Sequence, residues 1–133
     1  MGNNLGTTGF QGKYTIAWAL FILVMSVLPT PDQGDVGSFP HIDKLAHIFL
    51  YAVLVFVAAG DLKRSQYVQK SQSMAFIMIF FCILIYGIFI EMVQFLLPYR
   101  SFELMDIYAN SIGSFGGLLI FFVFYHNRIA KNK

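Results

Sequence analysis

Four long apolar runs constrain this chain more than any other feature of its sequence. They extend over Tyr14 to Leu28, Leu45 to Gly60, Met74 to Leu97 and Ile107 to Tyr125. A helix rises about 1.5 Å per residue, so about 20 apolar residues cross the roughly 30 Å of hydrocarbon in a bilayer. The first two runs are short for this, and we expect them to borrow turns from their flanks. The runs predict an all-α integral membrane protein, a bundle of four transmembrane helices in a single domain.

Composition agrees with lipid as the solvent of this domain. Hydrophobic residues make up 57% of the 133 residues, charged residues only 12%, and the mean hydropathy is +0.65. A water-soluble core does not account for these values. The first run is N-terminal and follows Lys13, as in a signal peptide, but no small-x-small cleavage site follows it. We therefore interpret it as a membrane span.

The basic residues predict the orientation of the spans. Seven of the nine lysines and arginines lie in the N-terminal tail, the second loop and the C-terminal tail. The positive-inside rule then places both termini in the cytoplasm. Most acidic residues lie on the opposite, outer side, and no basic stripe large enough to neutralise phosphates is present, which argues against a nucleic acid partner. The seven basic residues are Lys13, Lys63, Arg64, Lys70, Arg128, Lys131 and Lys133.

Three of the predicted helices each carry one polar stripe at the outer end. The members of each stripe follow helical spacing, so they lie on one face. A carboxylate within the span, such as Glu91, costs about 2.5–3.5 kcal/mol unless it is paired or hydrated. We therefore expect the stripes to face one another, and the small-xxx-small pattern of Gly113 and Gly117 favours a close approach of helices. The stripes comprise Asp43, His47 and Tyr51; Gly87, Glu91, Gln94 and Pro98; and Asp106, Asn110, Gly113 and Gly117.

Two hypotheses assign functions to these residues. In the first, an outer-side pocket binds a polar or anionic head group: Arg100 and Lys44 take its charge, and Asn110 and Gln94 fix its orientation. In the second, His47 and Glu91 form the acid/base pair of an enzyme that acts at the outer leaflet, with Arg100 stabilising negative charge. The candidate ligand-binding residues of the pocket are Asp43, Lys44, Tyr51, Gln94, Arg100, Asp106 and Asn110.

Structural explanations stand beside both hypotheses. Asp43 and Asp106 also suit the first turn of a helix, where the dipole favours an acid. Asn110 and Gln94 suit interhelical hydrogen bonds, Tyr51 suits packing, and His47 with Glu91 suits a buried structural pair. A transporter is a weaker interpretation, because the polar stripes stop halfway across the predicted spans.

The sequence predicts neither a metal nor a cofactor. His47, Glu91 and Asp106 are suitable ligand types, but no close-spaced pair such as H-x-x-x-H supports a metal site. No serine lies in a known nucleophile motif. Cys82 is the only cysteine, so no intramolecular disulfide can form.

Three segments resemble the VanZ-like family, small membrane proteins named for a teicoplanin-resistance determinant. They are "DKLAHIFLYAVL" from Asp43, "EMVQFLLPYRSFELMDIYANSIGSFGG" from Glu91 and, more weakly, "SVLP" from Ser26. The resemblance implies the cytoplasmic (inner) membrane of a bacterium and an effect on sensitivity to lipoglycopeptide antibiotics. It supplies no mechanism. Membrane lipids, a lipid-linked envelope precursor or a lipoglycopeptide are the partners it suggests, and the oligomeric state stays open.

Overall fold

Four helices form the computed structural model, which describes residues 12–29, 41–64 and 72–131. They are α1 (Lys13–Val27), α2 (Ile42–Arg64), α3 (Gln72–Phe95) and α4 (Leu104–Lys131). No strand occurs within these described ranges. An all-helical fold follows from the apolar surroundings, because a helix satisfies its backbone polar groups internally where no water can do so. The predicted all-α class is confirmed for this part of the chain.

Three of the helices are long and apolar enough to cross a membrane. The qualifying segments are Ile42–Lys63, Ser73–Phe95 and Leu104–Tyr125. The second run does borrow its N-terminal flank, since α2 includes Asp43 and Lys44. The helix α1 has only 15 residues, and the N-terminal flank from which we expected it to borrow a turn lies mostly outside the described residues. A multi-pass membrane protein is thus supported, whereas the fourth crossing and the cytoplasmic termini stay predictions.

Neighbouring helices along the chain run in opposite directions. Thr15 near the start of α1 bonds Asp61 near the end of α2, so these two helices are antiparallel. The end of α1 meets the end of α3, where the Gln94 side chain donates to the Ser26 carbonyl. Although α1 is short, it therefore lies alongside most of the depth of its neighbours. The N-termini of α2 and α4 and the C-termini of α1 and α3 meet at one end of the bundle.

The two parallel helices α2 and α4 are in backbone contact. A methyl group built on Gly113 would overlap the carbonyl group of Ile48, and one built on Gly117 would overlap that of Ala52. Only glycine allows backbones to approach this closely without a shift. The close approach predicted from the small-xxx-small pattern is confirmed, and it places the polar faces of α2 and α4 side by side.

The centre of the bundle is apolar. Tyr51, Ile22 and Leu54 are almost fully buried in the main core cluster, and Ala59, Phe76 and Phe121 form a second cluster further from the end where α3 meets α4. Many large apolar side chains on the outer faces are exposed, among them Leu20, Phe81 and Leu119. An exterior of this kind is suited to lipid, because a soluble monomer rarely exposes continuous apolar surface.

Candidate functional site

Polar side chains from three helices meet where α2 and α4 begin and α3 ends. We call this group the polar cluster. Its members come from the first two turns of α2, the last two turns of α3, the segment before α4, and the first two turns of α4. The convergence expected from the polar stripes is therefore present for most of the predicted site residues. The polar cluster comprises Asp43, Lys44, His47, Glu91, Glu103, Asp106 and Asn110.

Lys44 lies among three carboxylates. Its Nζ is 2.9 Å from Asp43 Oδ2, 2.7 Å from Glu103 Oε2 and 3.2 Å from Asp106 Oδ1. The ammonium group donates hydrogen bonds to Asp43 and Glu103, and its charge also faces Asp106. Lys44 therefore neutralises part of the polar cluster and has little capacity left to bind an anionic ligand, the role that we predicted for it.

A hydrogen bond to α4 determines which ring nitrogen of His47 carries a proton. His47 Nδ1 is 2.9 Å from Asn110 Oδ1, and a carbonyl oxygen accepts but does not donate, so Nδ1 carries the proton of this bond. In the neutral ring, Nε2 then presents a lone pair. Nε2 lies 3.7 Å from Asp106 Oδ2, beyond hydrogen-bonding distance. The basic nitrogen of His47 therefore faces a carboxylate without a bond to it.

Glu91 is the most deeply buried acid of the site. Its side chain is fully buried, and its Oε2 is 3.5 Å from the backbone nitrogen of Glu103. Its Oε1 has no hydrogen-bond partner among the described residues, and no ion pair recorded there includes Glu91. Ligand-capable atoms of His47, Glu91 and Asp106 all lie within 4.8 Å of one another. Three helices thus bring one imidazole and two carboxyl groups to a single point.

Tyr51 lies one helical turn below this point. Its ring stacks on that of His47 with 6.5 Å between centroids, and its hydroxyl has no hydrogen-bond partner in the part of the chain that is described. Gly87 on α3 makes room for it, since a Cβ there would come within 3.2 Å of both Tyr51 and the Asn110 side chain. Tyr51 therefore packs beneath the polar cluster, as the structural explanation expected.

Gln94 and Arg100 lie apart from the polar cluster. Gln94 Nε2 donates to the Ser26 carbonyl at 3.3 Å, and Arg100 Nη2 donates to the Leu28 carbonyl at 3.3 Å. Both side chains thus connect the end of α3 to the end of α1. For Gln94 this is the interhelical hydrogen bond of the structural explanation. Arg100 keeps donor capacity, because its Nε has no partner among the described residues.

Glu103 belongs to the polar cluster although we did not predict it as a site residue. Its carboxylate binds Lys44, and its backbone nitrogen lies nearest the Glu91 carboxylate. A signal was available, since an acid three residues before Asp106 lies next to a helix start, where a carboxylate is favoured. Helical spacing could not identify it, because it lies before the first residue of α4.

The polar cluster has an excess of acids. It has four carboxyl groups, those of Asp43, Glu91, Glu103 and Asp106, but only one ammonium group, that of Lys44, which pairs with three of them and not with Glu91. An anion entering here would be repelled, whereas a cation or a hydrogen-bond donor would be attracted. The anionic part of a ligand is therefore better placed near Arg100 than near Lys44.

An apolar groove lies on the outer face of α3, near its C-terminal end. It has a volume of about 490 Å³, and one of its lining residues is Phe102, the residue immediately before Glu103. Its apolar lining suits a hydrocarbon chain. The lining residues are Phe89, Met92, Val93, Phe95, Leu96 and Phe102.

Comparison with known proteins identifies the family. The profile of the VanZ/LLP1 family matches residues 6–125, which include all four helices up to Tyr125. This chain belongs to the VanZ/LLP1 family. An uncharacterized protein of Schizosaccharomyces pombe is 30% identical over 115 residues, which cover 85% of this chain and 67% of that protein. No solved structure matches. The predicted family is confirmed, whereas bacterial origin, a cell-envelope location and an antibiotic phenotype stay predictions.

Proposed function

We propose that this VanZ-like protein binds the head group of a membrane lipid, or of a lipid-linked molecule, at the polar cluster. The observation that carries the proposal is that Phe102 lines the apolar groove, whereas the next residue, Glu103, belongs to the polar cluster. A ligand with an acyl or prenyl chain in the groove would have its head group beside Glu103. This is the arrangement expected of ligand sites, which combine a mostly apolar surface with a few placed polar groups.

The charges of the site define the chemistry of the head group. Arg100 supplies planar guanidinium donors, which suit a phosphate. The carboxylates of Glu103 and Asp106 suit hydroxyl or amino groups on the same ligand. The ligand class is therefore a phosphate-bearing lipid whose head group also carries hydrogen-bond donors, such as a phospholipid or a lipid-linked envelope precursor.

Co-purifying lipid tests this proposal. The full chain is purified in detergent, and the phosphate-bearing lipid per protein is measured by mass spectrometry for wild type, Arg100→Ala and Lys13→Ala. Lys13 is the matched control, because it is an exposed cation at the start of α1, the end remote from the polar cluster. We expect at least about fivefold less lipid with Arg100→Ala, equivalent to about 1 kcal/mol, and no change with Lys13→Ala. Equal lipid in all three proteins would contradict the proposal.

A second candidate function is acid/base catalysis on the bound head group. It is favoured by one observation: the bond from Asn110 leaves the His47 Nε2 lone pair facing the carboxylates of Asp106 and Glu91. A group held in this way can accept a proton and transfer it to a leaving group. His47 and Glu91 are the acid/base pair in this function, as the sequence predicted.

Lipid profiles of cells test catalysis. A strain lacking the gene is given wild type, His47→Asn, Glu91→Gln or Asp61→Asn at matched protein levels, and its envelope lipids are compared. If the protein is an enzyme, one lipid species should be produced or consumed in the strains with wild type and with the control Asp61→Asn. The same species should not change in the strains with His47→Asn and Glu91→Gln. Identical profiles for all four would exclude catalysis in favour of binding alone.

The antibiotic phenotype is a further part of the proposal. A lipoglycopeptide also combines a polar body with a lipid chain, so it matches the groove and the polar cluster in chemistry. The inhibitory concentration of teicoplanin for the same strains tests this, with Lys13→Ala as control. We expect wild type and Lys13→Ala to raise it and Arg100→Ala to raise it less, whereas an unchanged value with wild type would exclude the phenotype.

A further inference from the structure

The group formed by His47, Glu91 and Asp106 has the composition and geometry of a cation site. Ligand atoms of the three residues lie within 4.8 Å of one another, and His47 Nε2 is 3.7 Å from Asp106 Oδ2. Bonds of about 2.0–2.2 Å to a tetrahedral Zn²⁺ place neighbouring ligand atoms roughly 3–3.5 Å apart. Side-chain movements of about an ångström would therefore bring the three groups around one cation.

Glu91 gives an independent reason to expect a ligand here. Its side chain is fully buried, its Oε1 has no hydrogen-bond partner among the described residues, and no lysine or arginine pairs with it there. An acid at this depth is costly unless it is paired. A bound cation would supply the missing partner.

The orientation of His47 matches that of a metal ligand. A histidine that binds a metal through one nitrogen almost always donates its other ring N–H to an oxygen acceptor. His47 Nδ1 donates to Asn110 Oδ1 at 2.9 Å, which leaves Nε2 free toward Asp106. Asp106 has an oxygen available as well, because Lys44 lies at Oδ1 and His47 lies nearest Oδ2.

A second group of acids at this end does not form a comparable site. Asp43, Glu103 and Asp106 also bring ligand atoms together, but the Lys44 ammonium already lies among them at 2.7 to 3.2 Å. Lys44 thus supplies the cation of the outer, more exposed group of acids. The inner group around Glu91 has no cation of its own among the described residues.

We propose that His47, Glu91 and Asp106 bind one divalent transition-metal cation, Zn²⁺ or Mn²⁺. The imidazole nitrogen disfavours Mg²⁺ and Ca²⁺, which prefer oxygen ligands alone, and the two carboxylates disfavour Cu⁺, which prefers sulfur. Three protein ligands leave a coordination position open. A hydroxyl or amino group of the lipid head group occupies that position, and this last step rests on the proposed function, whereas the cation site does not.

Metal content of the purified protein tests the cation site. The full chain in detergent is stripped with chelator, given Zn²⁺ or Mn²⁺ separately, desalted and analysed for bound metal. We expect one equivalent in wild type and in His41→Gln, the control, since His41 is an exposed histidine just before α2. The affinity for the metal should fall about 10- to 100-fold with Asn110→Ala, which removes the hydrogen-bond acceptor of His47. It should fall by at least as much with His47→Gln and with Glu91→Gln, which each remove a ligand.

Two results would overturn the inference. One is a wild-type protein that binds neither cation, and the other is unchanged affinity in both His47→Gln and Glu91→Gln. If these two variants do not fold, a second measurement tests the inference without them. In the double variant His41→Gln/His126→Gln, His47 is the only histidine of the three in the sequence, and X-ray absorption at the zinc edge must show an imidazole ligand. A zinc spectrum without imidazole overturns the inference.

Lipid content measured on the same samples separates this inference from the proposed function. Phosphate-bearing lipid that leaves with the metal on chelation supports both. Bound metal without lipid supports the cation site and contradicts the proposed function. Bound lipid in a protein that takes up neither cation contradicts the cation site and leaves the proposed function in place.

Discussion

The two ends of the helix bundle both contain buried acids, but they differ in how those acids are satisfied. At the end where α1 begins and α2 finishes, Asp61 Oδ2 accepts two hydrogen bonds from Thr15, at 3.0 Å from the nitrogen and 2.9 Å from the hydroxyl. At the other end, Glu91 is fully buried with one carboxyl oxygen unpartnered among the described residues. The satisfied acid joins two helices. Glu91, beside His47 and Asp106, is the acid to which a bound ligand could supply the missing partner.

The surroundings of these acids differ in the same way. Aromatic rings and an apolar cluster of Ala59, Phe76 and Phe121 lie toward the Asp61 end, and the Lys63 ammonium packs on the Tyr125 ring. The Glu91 end has charged and amide side chains from three helices. We infer that the first end serves to assemble the helices, whereas the second end serves to bind. The following predictions test this difference, in decreasing order of expected effect.

The largest effect is expected where the polar faces are held together. Gly113→Leu would force the α4 backbone away from Ile48 and separate the two halves of the polar cluster. We expect little or no folded protein in detergent, measured by size-exclusion chromatography. Gly116→Leu is the control, because nothing lies within 4 Å of a Cβ at that glycine. Equal yields of the two variants would show that close contact of α2 and α4 is not required.

A smaller but substantial effect is expected from Lys44→Met. The change leaves the carboxylates of Asp43, Glu103 and Asp106 facing one another without their common cation. Removing one partner of a buried pair costs about 3–5 kcal/mol, and the partial exposure of this group reduces the cost to about 2–3 kcal/mol. The free energy of unfolding in mixed micelles, from an SDS titration, measures it. Lys13→Met controls for the loss of a cation, and an equal change in both variants would contradict the role of Lys44.

An intermediate effect is expected at the opposite end from Thr15→Val. This variant removes one of the two hydrogen bonds to Asp61 and keeps the shape of the side chain. A hydrogen bond to a charged group contributes about 1.5–3 kcal/mol to stability. We expect a loss in that range by the same titration, with lipid and metal content unchanged. Loss of lipid from this variant would show that binding is not confined to the polar cluster.

The smallest effect is expected from Tyr51→Phe. The Tyr51 hydroxyl is buried without a partner among the described residues, so its removal should change the free energy of unfolding by less than about 1 kcal/mol, or raise it. The same SDS titration measures this. Tyr86→Phe is the comparison, because the Tyr86 hydroxyl donates to the Ala19 carbonyl at 2.6 Å. A larger loss with Tyr51→Phe than with Tyr86→Phe would show that the Tyr51 hydroxyl has a partner in the membrane.

The sequence predicted what helical spacing and burial costs determine. The spacing of His47, Glu91 and Asn110 placed each on one face, and the cost of an acid in lipid required those faces to meet. Gly113 and Gly117 identified the closest helix contact correctly. The meeting of the polar faces of α2, α3 and α4 could therefore be predicted from the sequence.

The sequence does not give the distances between helices, and these distances determine the contacts of Gln94, Lys44 and Glu103. Spacing along α3 placed Gln94 on the same face as Glu91, yet a carbonyl of α1 lies close enough to bind it. Glu103 belongs to no helical period, yet it accepts one of the two hydrogen bonds that Lys44 donates. The sequence has no close-spaced pair of metal ligands, whereas His47, Glu91 and Asp106 come together from three different helices.

The matched pair Glu91→Gln and Asp61→Asn tests the central claim most directly. Both changes neutralise a buried acid without altering its size, one at each end of the bundle. The measurement is bound phosphate-bearing lipid per protein, with the melting temperature of each sample. We predict that Glu91→Gln loses most of its lipid and melts close to wild type, and that Asp61→Asn keeps its lipid and melts lower. Unchanged lipid in both variants, with equal loss of stability, would contradict a division into an assembling end and a binding end.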